Sequence, residues 1–243
     1  MIQVKSLYKA FADKEVIKGI DATFEEGKTN LVIGRSGAGK SVFVKCMIGL
    51  IQPDKGEILF DGRDIVGMAK PDLLRLRREM GMLFQGSALF DSMTVIENVL
   101  FPMEMFSSQS YDKSYHRALE LLERVGLADA AKKYPAEISG GMMKRTAIAR
   151  AIALNPKYLF CDEPNSGLDP KTSTVIDQLI YEITKEYNIT TIVNTHDMNS
   201  VHAIGDKIIY IHHGIKEWEG TSADLSQPNL PESVVHFINA GRL

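Results

Sequence analysis

Eight consecutive residues restrict this chain more than any other feature. Gly34-Arg35-Ser36-Gly37-Ala38-Gly39-Lys40-Ser41 matches the pattern GxxxxGK[ST]. The apolar run Leu31-Val32-Ile33 precedes it, and Val42, Val44 and Ile48 follow in a helical stretch. The motif therefore lies between a predicted strand and a predicted helix, the context it requires. Glycines let the backbone curl so that successive N–H groups point inward at a phosphate. The helix N-terminus behind them adds a favourable field. Lys40 would neutralise β- and γ-phosphate oxygens as a point charge, and Ser41 would ligate Mg2+. The bland alternative is a glycine-rich turn joining strand to helix. Strand, full motif and helix together outweigh it.

A second signal is Tyr158-Leu159-Phe160-Cys161-Asp162-Glu163. A carboxylate at the end of a buried strand faces the loops of neighbouring strands, where ligands collect in such sheets. Asp162 would hold Mg2+ through water, and Glu163 would orient or deprotonate an attacking water. Alone, an acidic pair after a strand is a weak signal. Beside the glycine loop it points to phosphoryl transfer.

The rest of the chain supplies an α/β frame with a parallel sheet. Thr190-Thr191-Ile192-Val193 and Lys207–Ile211 are further branched apolar runs, continuous as in buried parallel strands. Between the runs, Ala118, Leu121, Leu122 and Val125 have helical spacing, as do Ile176, Leu179, Ile180 and Ile183. Residues 1–30 read as antiparallel, with turn signals at Ala12-Asp13-Lys14 and Glu25-Glu26-Gly27-Lys28. The expected organisation is one domain. Residues 1–85 and 156–220 form the core, 86–155 an inserted helical subdomain, and 221–243 a tail that is either a short helix or an interface segment.

Charge and composition exclude several functions. With 28 Lys+Arg against 31 Asp+Glu the net charge is −3, so no basic field exists along the chain and nucleic acid is not expected as a partner. Cys46 and Cys161 lie far apart without a CxxC and read as buried thiols, too few for zinc or a disulfide framework. The N-terminus lacks the apolar region of a signal peptide. No apolar run approaches the ~20 residues of a membrane span.

With these residues in hand, the chain resembles the ATP-binding subunit of an ABC transporter. Ile138-Ser139-Gly140-Gly141-Met142 resembles the family signature, written LSGGQ, and leads into the helical run Lys144–Leu154. Gln85 matches the Q-loop glutamine, Ser166-Gly167-Leu168-Asp169 the D-loop, His196 the switch histidine, and Phe11 the aromatic that stacks on adenine. The match covers about residues 1–220, every motif in order. Two positions depart from the pattern: the signature ends in Met142, and the adenine-stacking residue is Phe where the family has Tyr. The resemblance implies a P-loop NTPase core, an N-terminal antiparallel region and an inserted helical subdomain. It implies ATP with Mg2+, bound by residues 34–41, Phe11, Asp162 and Asp169. Ser41, Asp162 and Gln85 would hold the metal, and Glu163, His196 and Gln85 would act in hydrolysis. It also implies a head-to-tail homodimer in which Ser139, Gly140 and Gly141 of one chain complete the site of the other.

A narrower resemblance covers Phe84–Met103, including Ala88-Leu89-Phe90-Asp91-Ser92-Met93-Thr94-Val95, and the signature Met142. Both are typical of Mla-type ATPases, which serve phospholipid trafficking in Gram-negative envelopes. This implies a permease in the inner membrane with the ATPase at its cytoplasmic face, a lipid-binding periplasmic protein, and often a small cytosolic regulatory subunit. The alternative within the family is transport of an amino acid, metal chelate or drug; a non-transport ABC ATPase is a further one. Leu89, Phe90, Met93, Phe101, Met103 and Met105 are adaptable apolar groups suited to a groove for a partner helix. Their competing role is to fill the subdomain's own core. Arg75, Arg77 and Arg78 read as a solvated helix face. His212-His213 reads as a turn, since further metal ligands are lacking. Trp218 reads equally as tail packing or function, and Asp197 as support for the histidine loop.

Overall fold

The apolar runs assemble into two sheets. In the computed structural model, which describes residues 1–12 and 14–240, the chain opens with an antiparallel pair, β1 (Ile2–Phe11) and β2 (Lys14–Phe24). The turn expected at 12–14 includes Asp13, which lies outside the described residues, as do the last three positions of the tail. Next, β3 (Thr29–Ile33) runs into the glycine loop and α1 (Lys40–Met47). The short strands β4 (Lys55–Phe60) and β5 (Arg63–Asp64) then return to the N-terminal sheet, whose order is β2-β1-β4-β5. The antiparallel region thus extends beyond residues 1–30. The cause is visible in β4, where buried Ile58 and Phe60 flank the less buried Leu59, an alternation that covers one face only.

After α2 (Lys70–Arg77) and β6 (Met80–Leu83) come three helices, α3 (Val95–Phe106), α4 (Tyr111–Arg124) and α5 (Gly140–Ala151). The chain re-enters the sheet as β7 (Tyr158–Asp162), followed by α6 (Pro170–Glu186), β8 (Thr190–Thr195), α7 (Met198–Ile204), β9 (Lys207–His212) and β10 (Ile215–Gly220). The second sheet has the order β10-β9-β3-β8-β7-β6, with β10 the antiparallel edge of an otherwise parallel array. The tail forms α8 (Glu232–Ala240), whose buried Val234, Phe237 and Ile238 pack on the main core, with Phe237 5.4 Å from Tyr210. Half-buried Trp218 joins the same core.

β3 and β8 are buried along their whole length because both faces of the parallel sheet are covered. On one face the two sheets meet over Phe24, Phe43, Phe60 and Phe160, with Phe60 edge-on to Tyr158 at 4.8 Å. The helical stripe on α6 covers the other face, while that of α4 packs with α3 and α5, and all eight stripe residues are buried. Each such side chain contributes about 1.5–3 kcal/mol. Asp169 starts α6 by accepting from the Thr172 N–H at 3.0 Å, with Pro170 in the first turn.

α5 lies close against β6. A Cβ on Gly81 would stand 2.3 Å from the Ala151 carbonyl oxygen. Gly81→Ala is therefore expected to lower stability by about 1–3 kcal/mol, read from urea unfolding. Gly86→Ala, where a Cβ meets nothing within 4 Å, serves as the control and should unfold as the wild type does.

Candidate functional site

Three neighbouring parallel strands end together. Ile33 of β3 pairs with Thr195 of β8, and Asp162 of β7 pairs with Asn194 of β8. The loops that follow these strands share one edge of the sheet, where ligands gather in such folds. At Gly34, with φ +150°, a Cβ would stand 2.2 Å from the Ile211 carbonyl oxygen, so no side chain fits. Gly39 has φ +105° and precedes α1 without any side-chain cap, and the first turn of α1 has no acidic residue. The amides there remain available to an anion. Lys40 is buried and folds back over the loop, its Nζ donating to the carbonyls of Gly34 at 2.8 Å and Arg35 at 3.3 Å. Burial lowers its pKa, while Glu163 and Asp162 oppose that shift.

The carboxylates are arranged around Asn194, which is fully buried. Its Nδ2 donates to Asp162 Oδ1 and to Ser41 Oγ, the latter at 3.3 Å. Its backbone carbonyl accepts from the Glu163 N–H at 2.9 Å. Glu163 adopts φ 47°, a left-handed conformation that costs a non-glycine residue on the order of 1–3 kcal/mol. Both its carboxyl oxygens lie 2.9 Å from His196 Nδ1. An ionised carboxylate only accepts, so this contact places a proton on Nδ1. The His196 side chain is 68% exposed and that of Glu163 17%, so the histidine stands on the solvent side of the glutamate. Asp197 caps α7 by accepting from the Asn199 N–H at 2.8 Å. Gln85 Nε2 donates to Ser166 Oγ at 3.1 Å, joining the segment after β6 to the one after β7.

The other expected residues lie further out. Ser139 caps α5, accepting from the Met142 N–H at 3.3 Å. Cβ atoms on Gly140 and Gly141 would meet Leu168 at 3.6 Å and Thr172 Cγ2 at 2.6 Å. Among the described residues no hydrogen bond joins Ser139–Gly141 to residues 34–41. Phe11 is exposed at the end of β1, with Lys9 Nζ 5.3 Å from its ring centre. Arg35, Ser36, Gly37 and Ala38 line a surface cavity with His212 and His213. His212 pairs with Glu217 at 2.7 Å, His213 sits in a turn at φ 49°, and no group of three metal-ligating residues exists among the described residues.

Several residues around the site carry no sequence motif. Asn194 is one. Asn98, fully buried in α3, accepts from the Phe90 N–H and donates to the carbonyls of Phe90, Met93 and Thr94, which moulds the loop after Gln85. Lys144 and Arg150 of α5 donate to carbonyls of the same loop. A polar residue inside the apolar run of α3 is the one available sequence signal. Asp177, buried in α6, binds Asn165 at 2.8 Å, and burial pushes its carboxyl up.

A cavity of about 440 Å³ lies beside that loop. Phe84, Phe90, Phe101 and Phe106 line it together with Arg77, Arg78 and Arg150. Only part of the expected apolar set contributes. Phe90 and Phe101 touch there at 4.7 Å, whereas Met103 is buried, Leu89 packs on the core, and Met93 and Met105 do not line the cavity. The expected basic face is divided too. Arg75 is exposed, Arg77 donates to the Gly49 carbonyl at 2.8 Å, and Arg78 lies over the Phe106 ring at 5.6 Å.

The donor set suits a hard cation. Asn194 draws a hydroxyl and a carboxylate oxygen, those of Ser41 and Asp162, to one amide, and its own Oδ1 is buried with no hydrogen-bond partner. A buried acceptor of this kind is met by water or by the shell of a hydrated ion. With a single carboxylate, the ion must take most of its ligands from phosphate and water, as Mg2+ does.

Comparison with known proteins agrees with this geometry. Residues 17–166 match the family described as "ABC transporter". A probable ribonucleotide transport ATP-binding protein, mkl, of Mycobacterium leprae is 39% identical over 85% of this chain and 60% of its own length. The methionine import ATP-binding protein MetN of Carboxydothermus hydrogenoformans is 40% identical over 93% of this chain and 67% of its own. The chain therefore spans about 60–67% of the length of these relatives. Among solved structures, the dimeric bacterial ABC transporter cassette MJ0796 superposes with a TM-score of 0.83 at 32% identity, covering 91% of this chain and 99% of that one.

Asn194→Asp tests the bridge with almost no change of shape. It would place a second carboxylate against Asp162 in a buried position, where only one can readily ionise. Stability at pH 7 is expected to fall by about 3–5 kcal/mol. A carboxyl whose folded pKa is raised imposes its penalty above that pKa, so the deficit narrows as pH falls through it. Urea unfolding across pH reads both effects, and a deficit that does not change with pH would rule out carboxylate repulsion.

Proposed function

The chain belongs to the ABC transporter family, and from that premise we propose that it is the ATP-hydrolysing subunit of a transporter, acting as a head-to-tail dimer. One observation carries the reading. A single hydrogen-bonded set joins Ser41, Asn194 and Asp162, and through Asn194 reaches Glu163 and His196, at the mouth of a loop with free amides.

In this reading Lys40 exchanges the carbonyls of Gly34 and Arg35 for the β- and γ-phosphate oxygens of ATP, and the uncapped amides at the N-terminus of α1 bind the remaining charge. Phe11 offers adenine an aromatic face. Ser41, Asp162 and Gln85 would hold Mg2+, which when bound would neutralise charge on the phosphate oxygens. Glu163 takes a proton from a water whose oxygen bonds to the γ-phosphorus. The bond from that phosphorus to its bridging oxygen breaks, and ADP keeps the electron pair. His196 holds Glu163 and contacts the γ-phosphate. Ser139 and the amides of Gly140 and Gly141 on the second chain bring the N-terminus of α5 to the same phosphate. Asp169 carries information between the two sites. Closure on ATP and opening after hydrolysis make a switch biased by the γ-phosphate.

The cargo we assign is phospholipid. Support comes from the resemblance of Phe84–Met103 and of Met142 to Mla-type ATPases. The partners are then an inner-membrane permease, with this subunit on its cytoplasmic face, a periplasmic lipid-binding protein and a small regulatory subunit. No helix among the described residues is long and apolar enough to cross a membrane, so the work must reach the bilayer through a partner. The aromatic cavity beside the Gln85 loop is the surface offered to a partner helix. Phe84, Phe90 and Phe106 are each 41–48% exposed there, large apolar groups that a partner would cover. The relatives' names carry the competing reading, transport of another substrate.

Glu163→Gln is expected to slow ATP hydrolysis about 10²–10⁴-fold while the protein retains ATP and stays dimeric, measured by phosphate release and by mass in solution. Unchanged hydrolysis would remove Glu163 from this role. In membranes, the complex purified through this chain should contain phospholipid by mass spectrometry, and Phe90→Asp should abolish lipid movement while ATP still binds. A complex that binds methionine or nucleotide and no lipid would overturn the cargo assignment.

A further inference from the structure

Two cations of α5 grip the loop that carries Gln85. Lys144 is 4% exposed, and its Nζ donates to the Gln85 carbonyl. Arg150 donates through Nη1 to the Ala88 carbonyl at 2.8 Å and through Nη2 to the Ser87 carbonyl at 2.7 Å. Three carbonyls within four residues therefore end on one helix. Neither cation has a carboxylate within ion-pair distance among the described residues. Ser87 and Ala88 both have positive φ, 62° and 50°. Consecutive left-handed residues without glycine persist only where their surroundings hold them. The bonds from Arg150 fall on those two residues.

We propose that Lys144 and Arg150 are positioning residues that lock the Gln85 loop to α5, so that the signature helix and Gln85 move as one body. The inference rests on the hydrolytic reading above and adds to it a mechanical link. Ser139, at the N-terminus of α5, would reach the partner's nucleotide, while Gln85 serves the nucleotide of its own chain. A shift of α5 as the dimer closes would then carry Gln85 with it. Gln85 also binds Ser166, beside the carboxylate segment, so the lock extends to Glu163.

The test uses the full chain. Lys144→Met keeps the length of the side chain and removes the charged donor from the Gln85 carbonyl. Amide exchange in residues 84–89 should quicken by at least about tenfold, as for loss of a charged hydrogen bond. The turnover number should fall by about tenfold, with KM for ATP within about threefold, since Lys144 is not among the residues that bind the phosphates. Lys144→Arg should restore both exchange and turnover. Arg150→Met, read in the same way, covers the case in which Lys144→Met fails to fold. Exchange within about twofold of wild type in the variant, or a fall in turnover that Lys144→Arg does not repair, would overturn the lock. If the wild-type chain does not hydrolyse ATP, the proposed function falls, and the exchange rates alone still decide whether the lock exists.

Discussion

A buried amide in the middle of a parallel sheet sets the geometry of the phosphate site. Asn194 is fully buried, and the hydrogen bonds of its Nδ2 and of its backbone carbonyl come from neighbouring strand ends and the glycine loop. Its Nδ2 ties Asp162 to Ser41, and its carbonyl takes the amide of Glu163. The second bond has a conformational consequence. Asp162 still belongs to β7, and the next amide must turn back to β8, which forces Glu163 into φ 47°. That turn aims the carboxylate across the strand ends at His196. The order of β3, β8 and β7 in the sheet makes this possible, because it sets the glycine loop and the acidic pair on either side of one strand.

The same economy governs the part of the site that lies elsewhere. Asp169 takes both the N–H and the hydroxyl of Thr172, and the Thr172 methyl group fills the space next to Gly141. Asp169 thereby fixes the surface on which Gly141 rests. One chain holds a phosphate loop and, with no hydrogen bond between them, a serine-capped helix. In the dimer we propose, a second copy would bring that helix to the loop and make two equal sites at once, which suits a switch that opens and closes as a whole.

What the sequence discloses depends on how local the physics is. The phosphate loop is legible because its requirements are local: glycines for an impossible Cβ, a lysine and a hydroxyl at fixed offsets. Buried strands show as continuous apolar runs, and the stripes of α4 and α6 show by their spacing. Residues 55–64 escape that reading because a six-residue strand with a two-residue partner has too short an alternation to declare its sheet. Asn194 escapes because its partners are 32 and 153 residues away. Lys144 and Arg150 look like any basic residues of a helix, since composition does not distinguish a buried cation bound to a carbonyl from a solvated one. The apolar cluster after Gln85 shows the converse: six similar residues, three in the loop and three on α3, divide between core, cavity and solvent.

Around the site, cations bind carbonyls more often than carboxylates. Lys40 holds Gly34 and Arg35, Arg77 holds Gly49, Lys144 holds Gln85, Arg145 holds Val125 and Gly126, and Arg150 holds Ser87 and Ala88. A charged donor on a neutral acceptor still gives a strong bond, about 1.5–3 kcal/mol, but it leaves the positive charge uncancelled. Loops are thereby fixed in place while each cation's charge stays uncancelled, and at Lys40 that charge remains available to an anion. A carboxylate partner would hold Lys40 more tightly and would have to be displaced by phosphate against its own Coulomb attraction. A carbonyl releases the ammonium at lower cost. The arrangement therefore explains how a buried lysine can be both ordered over the loop and ready to move to a phosphate.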